Sequence, residues 1–218
     1  MSNGKNVYVV DDNIEVRRSI FRLLEVLGMS PRSFAQGQDF LDALPELAPG
    51  CVLLDLRLPD VDGVEVLQAS QAFLGKLQFV MITGHGDIET AVRVMRMGAI
   101  DFLEKPYSED MLIETLERGF STLAEKAAAR DAEEGARMLL FRLTDRERDV
   151  LGGLLAGLSN KQLAQRLGLS FRTVEMHRAH MLSKLAANAL SDALRIAIAG
   201  GLKPLAETGV LEPTGRLQ

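Results

Sequence analysis

The stretch CVLLDLRLPDVDG, Cys51 to Gly63, decides the fold. An apolar run ends abruptly in Asp55, and the chain then turns at Pro59 and Gly63. A strand apolar on both faces belongs in a parallel sheet with helices on either side. Ligands of such sheets sit beyond the carboxyl ends of the strands. Here that end is Asp55, so the buried strand aims a charged group at the place where chemistry is expected.

Four further runs resemble strands: NVYVV (6–10), the weaker SPRSF (30–34), QFVMIT (78–83) and AIDFL (99–103). Between them apolar residues recur at helical spacing, as in Ile14, Phe21, Leu24 and Leu27, or Ala91, Val94 and Met95. Five alternating units predict a doubly wound α/β domain on a five-stranded parallel sheet over residues 1–124. Residues 108–143 read as continuous helix, capped by Ser108, with Leu112, Leu116, Phe120 and Leu123 as its apolar stripe. Within a helical linker, 125–143, the stretch EKAAARDAEEGAR (125–137) is Ala-rich and charged and reads as exposed, with Gly135 its weak point. Thr144 and Ser159 each precede Glu or Gln by three residues, the capping-box spacing. They open an all-α region, 144–203, of four helices near 145–156, 160–167, 171–185 and 190–200. Residues 204–218 carry Pro and Gly without a helical face and are expected to be a mobile tail.

Charge divides the same way. The chain of 218 residues has a net charge of −5, yet residues 1–124 hold 11 basic against 19 acidic side chains and residues 144–203 hold 9 against 5. An acidic unit and a basic unit suggest that the second meets a polyanion. No apolar run approaches the roughly 20 residues of a spanning helix, and MSNGKNVYVV lacks a signal-peptide pattern. The single cysteine, Cys51, cannot pair within the chain. A reducing, cytoplasmic setting without membrane contact is expected.

In a parallel sheet the strand ends converge on one edge. The first strand is followed by Asp11 and Asp12; the third ends in Asp55, the fourth in Thr83, and the fifth precedes Lys105 and Pro106. Carboxylates crowded together repel, and a hard cation such as Mg²⁺ relieves the repulsion. With the Lys ammonium and the Thr hydroxyl, it would surround a phosphoryl group on Asp55. Taken singly, each residue has an ordinary reading: a helix cap for Asp11, a strand-end hydroxyl for Thr83, surface for Lys105. The four positions together do not.

In order along the chain, VVDDN, LLDLRLPDVDG, MITGHGD and AIDFLEKPY resemble the receiver domain of two-component response regulators. The resemblance implies that Asp55 is the phospho-acceptor and that Asp12 binds Mg²⁺, with Asp11 assisting and the Arg57 backbone carbonyl as a further ligand. Thr83 and Lys105 would bind phosphoryl oxygens, and Phe102 would be the switch aromatic. His85, in the adjoining loop, reads as surface. Phosphatases of the haloacid-dehalogenase type also use an aspartyl nucleophile. They keep an Asp two residues after it, where this chain has Arg57, so the chain is not expected to be an enzyme. A dinucleotide enzyme is excluded by the missing G-x-G-x-x-G after the first strand.

Within the basic region, residues 157–185 have the parts of a helix-turn-helix: a capped helix, a tight turn at Gly168 to Ser170, and a longer helix. On the longer helix Val174, His177, Met181 and Leu185 should face the core. Lys161, Arg172 and Arg178 are candidates for phosphate contacts, and Lys184 shares their outward face. Thr173, Glu175, Met176 and Ala179 are candidates for base edges. NKQLA and RTVEMHRA resemble the LuxR/NarL-type DNA-binding domain, in its FixJ-like branch. That resemblance implies dimerisation through the last helix, at Leu190, Leu194 and Ile198. The whole chain then resembles a phosphorylation-controlled transcription factor. Its implied partners are a sensor histidine kinase, double-stranded DNA, a second copy of itself on phosphorylation, and RNA polymerase. The alternative is a regulator whose helical domain docks on another protein rather than DNA.

Overall fold

The computed structural model describes residues 4–84 and 88–206, so His85 lies outside the described residues. The chain divides into two compact units, Met1–Ala127 and Ala128–Gln218.

The first unit runs β1 (Asn6–Val10), α1 (Ile14–Val26), β2 (Ser30–Phe34), α2 (Gly37–Ala43), β3 (Gly50–Asp55), α3 (Gly63–Ala69), β4 (Leu77–Thr83), α4 (Ile88–Arg96), β5 (Asp101–Glu104) and the start of α5 (Glu109–Phe141). All pairings are parallel, in the order β2-β1-β3-β4-β5. Side chains alternate across the sheet, as a period of two requires. Val7, Val9, Cys51, Leu53, Val80 and Ile82 pack with Ile20, Leu24, Leu112 and Leu116 on one face. Tyr8, Val10, Val52, Leu54, Phe79 and Met81 pack with Phe40, Val66, Leu67 and Val94 on the other. β3 and β4 are buried along their whole length, which explains their unbroken apolar sequence. β2 is an edge strand and half exposed, so SPRSF tolerates Pro31 where a central strand would not. Burial pushes the Cys51 thiol up to about 12, which makes it an inert core residue.

Order and register fix the site. The chain leaves β1 for β2 on one side and later crosses to β3 on the other, opening a crevice between the carboxyl ends of β1 and β3. Val10 is level with Leu54, so Asp11 lies beside Asp55.

The second unit holds the rest of α5, then α6 (Asp145–Leu155), α7 (Asn160–Leu167), α8 (Phe171–Lys184) and α9 (Leu190–Ala199). Both anticipated capping boxes are formed, at Thr144 with Glu147 and at Ser159 with Gln162. Gly168 ends α7 at φ 66, the left-handed conformation that makes the tight turn. Two expectations are corrected. The stretch 125–137 is not exposed throughout, since Ala136 is buried; beyond it Leu140 and Leu143 are buried too and share a core with Leu151, Met181, Leu185, Ala193 and Ala197. The expected tail from 204 begins too early, because the Leu205 N–H donates to the Gly152 carbonyl at 2.9 Å. Residues 207–218 of that tail lie outside the described residues. Among the described residues no helix is long and apolar enough to cross a membrane.

Candidate functional site

Asp11, Asp12 and Asp55 each bring a carboxylate oxygen within 4.8 Å of the other two. Asp11 and Asp55 are buried and Asp12 is exposed. Two carboxylates about 4 Å apart repel by roughly 4 kcal/mol at an effective dielectric near 20, so the pair needs a counter-charge. Lys105 supplies it. Its Nζ donates to Asp11 Oδ2 at 2.7 Å and to Asp55 Oδ2 at 2.6 Å. The Lys105 backbone N–H donates to the Thr83 carbonyl at 2.7 Å, which ties the end of β4 to the lysine loop. Thr83 itself is 1 % exposed and Phe102 is half-buried against the core face holding Phe79 and Met81.

The remaining carboxylate oxygens are held by backbone. Asp11 Oδ1 accepts from Asn13 N–H at 2.8 Å, and Asp55 Oδ1 accepts from Arg57 N–H at 3.0 Å. Burial pushes the Asp11 carboxyl above its usual range, against the bonds from Lys105 and Asn13. Burial opposes the charge on Lys105, but the bonds from Asp11 and Asp55 outweigh it and hold the ammonium above its ordinary value. Both readings describe one object, a buried acid pair stabilised by one shared cation. Asp12 differs: among the described residues its carboxylate has no hydrogen-bonding partner.

In the second unit α7 and α8 form the helix-turn-helix. Val174, Met181 and Leu185 face the core as expected, while His177 is half-buried. Lys161, Arg172, Glu175, Met176 and Ala179 are exposed. Thr173 is half-buried and its hydroxyl lies 2.7 Å from that of Ser170, the α8 cap. Arg178 donates to Asn160 Oδ1 at 2.6 Å and so braces the two helices. Lys184 departs from expectation: its ammonium is held by Glu147 Oε2 at 2.7 Å, inside the unit rather than free for a phosphate. Leu190 and Leu194 are half-buried and Ile198 is 67 % exposed on α9.

The family models agree with this division. Residues 7–117 match the response regulator receiver domain, and residues 142–197 match the bacterial regulatory proteins of the luxR family. The chain belongs to the response regulators. This response regulator is 39 % identical to the transcriptional regulatory protein FixJ of Bradyrhizobium diazoefficiens, over 93 % of this chain and 98 % of that one. It is 35 % identical to the tetrathionate response regulatory protein TtrR of Salmonella typhimurium, over 87 % and 90 %. Among solved structures, the response regulator StyR superposes with a TM-score of 0.74 at 36 % identity, covering 89 % of this chain and 98 % of that one. Full-length FixJ from B. japonicum gives 0.57 at 39 % identity, over 92 % and 98 %. The chain is thus a phosphorylation-controlled, DNA-binding transcriptional regulator, and the protein-docking alternative is not favoured. A receiver implies a phosphodonor histidine kinase, and a luxR-type domain implies DNA.

Two further carboxylates hold this regulator's loops and helices in place. Asp60, in the loop after Asp55, accepts from the N–H groups of Gln38 and Gly37 at 2.8 and 3.1 Å and so caps α2 from outside; these bonds, that from Gln38 foremost, hold its carboxyl below the usual range. Glu147 is 3 % exposed and closes the α6 capping box while binding Lys184. Burial works to raise its pKa, but the bonds from Lys184 and Thr144 outweigh it and hold the carboxyl below its ordinary value. A depressed pKa means stability is in full force above the unfolded-state value and is lost as pH falls through the folded one. The second unit should therefore weaken on acidification below the ordinary glutamate range, and Glu147→Ala should cost it about 2 kcal/mol through the lost cap and unpaired lysine. Urea melts followed by circular dichroism at neutral and acid pH check both; an unchanged midpoint in the variant would show the capping box to be idle.

Proposed function

We propose that Asp55 takes a phosphoryl group from the phosphohistidine of a sensor kinase, with Mg²⁺ held by Asp11, Asp12, Asp55 and the Arg57 carbonyl. The observation that carries this reading is the bridging of Asp11 and Asp55 by Lys105, beside an Asp12 carboxylate that has no partner among the described residues. An all-oxygen donor set suits a hard cation that keeps part of its water. When bound, Mg²⁺ offsets the charge of the carboxylates and of the incoming phosphoryl oxygens.

The chain's own groups do the rest. The Asp55 carboxylate forms the P–O bond as the P–N bond breaks. Lys105 is already within reach of Asp55, and its ammonium would exchange a carboxylate oxygen for a phosphoryl oxygen as its acceptor. Thr83 closes the strand next in line and offers its hydroxyl. Movement of Thr83 opens space for Phe102 to turn inward, which reshapes the surface of α4 and β5. Ile88, Val92 and Met95 on α4 are 84, 45 and 44 % exposed, an apolar face ready for a second copy. Phosphorylation biases a pre-existing equilibrium toward that dimer. Two α8 helices then reach half-sites about 34 Å apart, with Leu190, Leu194 and Ile198 of α9 in a second dimer contact. Lys161, Arg172 and Arg178 meet phosphates, and Thr173, Glu175, Met176 and Ala179 meet bases. RNA polymerase at the bound promoter and a cytoplasmic location complete the reading.

Fragments selected from a random DNA pool, with and without acetyl phosphate, test the proposal. Binding to the selected site should tighten with phosphodonor and fall steeply with salt, and Arg172→Ala should flatten the salt slope by about 1. Salt-independent binding, or none, would overturn the DNA reading.

A further inference from the structure

Arg17 stands one turn into α1, half-buried, and its guanidinium turns back onto the chain that precedes the helix. Its Nη1 donates to the Asp11 carbonyl at 2.7 Å and to the Asp12 carbonyl at 2.9 Å. These oxygens belong to the two peptide planes on either side of the Asp12 Cα. Holding both planes fixes the φ and ψ of Asp12, and with them the direction of its Cα–Cβ bond. Asp11 and Asp55 have side-chain anchors in Lys105, Asn13 and Arg57. Among the described residues Asp12 has none, so its carboxylate is aimed by its backbone alone.

We infer that Arg17 is the positioning residue of the metal site: it aims the Asp12 carboxylate by clamping the backbone on both sides of it. The inference rests on the magnesium reading above. Groups that orient metal ligands without touching the metal typically change affinity about 10- to 100-fold when removed, and a backbone clamp should act at the lower end. A rival physical effect has the opposite sign. A guanidinium on the Asp11 and Asp12 carbonyls lowers the negative potential of the acidic cluster, so its removal on electrostatic grounds alone would tighten cation binding.

The test uses the full chain and Mn²⁺ as the spin-active probe. Free Mn²⁺ is titrated by electron paramagnetic resonance without phosphodonor, on wild type, Arg17→Ala, Arg17→Gln and Arg17→Lys. Arg17→Ala should bind Mn²⁺ about tenfold more weakly, Arg17→Lys should recover part of the loss, and Arg17→Gln less. With acetyl phosphate, the Mg²⁺ concentration for half-maximal phosphorylation should rise by the same factor while the rate at saturating Mg²⁺ stays near wild type. A merely structural arginine would lower the metal-free melting temperature without moving the metal midpoint, and that result overturns the inference. So does equal or tighter Mn²⁺ binding by Arg17→Ala. If Arg17→Ala fails to fold, the glutamine and lysine variants carry the same comparison. Failure of the wild type to bind Mn²⁺ would instead overturn the magnesium reading itself.

Discussion

Replacing Asp55 by asparagine should abolish phosphoryl uptake and every response that depends on it while leaving the fold in place. The amide keeps an oxygen to accept the Arg57 N–H, now 3.0 Å from Asp55 Oδ1, and Lys105 keeps its bond to Asp11 at 2.7 Å. The side chain is isosteric, so the buried end of β3 gains no cavity, and the Lys105 ammonium, 2.6 Å from Asp55 Oδ2 in the wild type, turns from the amide NH2 toward Asp11. What it loses is the anionic oxygen that, on the proposed reading, would form the P–O bond. It also loses one of the two charges that Lys105 bridges, which removes a repulsion as well as an attraction. The net change in stability should be about 1 kcal/mol or less. With acetyl phosphate and Mg²⁺, intact mass should show one phosphoryl group on the wild type and none on the variant. Light scattering should show phosphodonor-dependent dimers for the first and not the second. Weak, salt-sensitive DNA binding should persist in both, since Arg172 and Lys161 are exposed in the other unit. A variant that still gained the phosphoryl mass would remove Asp55 from its role.

Reading the fold from sequence worked where one physical rule governed each segment. β3 and β4 are buried on both faces and read as apolar runs. The Thr144 and Ser159 boxes were legible because capping is local, confined to four consecutive residues. Strand ends converge by topology, which is why Asp11, Asp12, Asp55 and Lys105 could be named together across almost a hundred residues. Contacts that obey no period were not legible. Lys184 and Glu147 stand 37 positions apart in sequence on two different helices, and a basic residue on a recognition helix reads as a DNA contact until its neighbour is known. Leu140 and Leu143 follow a charged, Ala-rich stretch, and their burial depends on α6, α8 and α9. Asp60 caps a helix that precedes it in sequence, the reverse of the usual order. For Arg17 a signal did exist: Asn13 marks the start of α1, and an arginine only one turn in stands near the positive end of the helix dipole. An unfavourable charge at that position points to a local task.

Gly63→Ala should be among the most damaging single-methyl changes in the first unit. A Cβ at Gly63 would lie 2.2 Å from the Asp55 carbonyl oxygen, 2.8 Å from the Leu56 Cα and 3.1 Å from the Asp55 carbonyl carbon. All three are backbone atoms, so no rotamer change relieves the overlap. The glycine cannot simply back away either, because its N–H donates to the Leu56 carbonyl at 2.8 Å and Asp62 caps the helix it begins. The chain must therefore move the loop between β3 and α3 that presents Asp55 and the Arg57 carbonyl. A cost of about 3 kcal/mol is expected, at the upper end for overpacking, with slowed phosphoryl uptake even where the variant is folded. Both tyrosines, Tyr8 and Tyr107, lie in the first unit and the chain has no tryptophan, so tyrosine fluorescence in urea reports that unit alone. Gly135→Ala is the matched contrast. It adds the same methyl inside α5 with nothing within 4 Å, and should stabilise by about 0.5–1 kcal/mol through helix propensity. Opposite signs from one added methyl would trace the cost of Gly63→Ala to the Asp55 backbone; equal, small effects would mean that the phospho-acceptor loop yields freely and that its close packing does not hold the site.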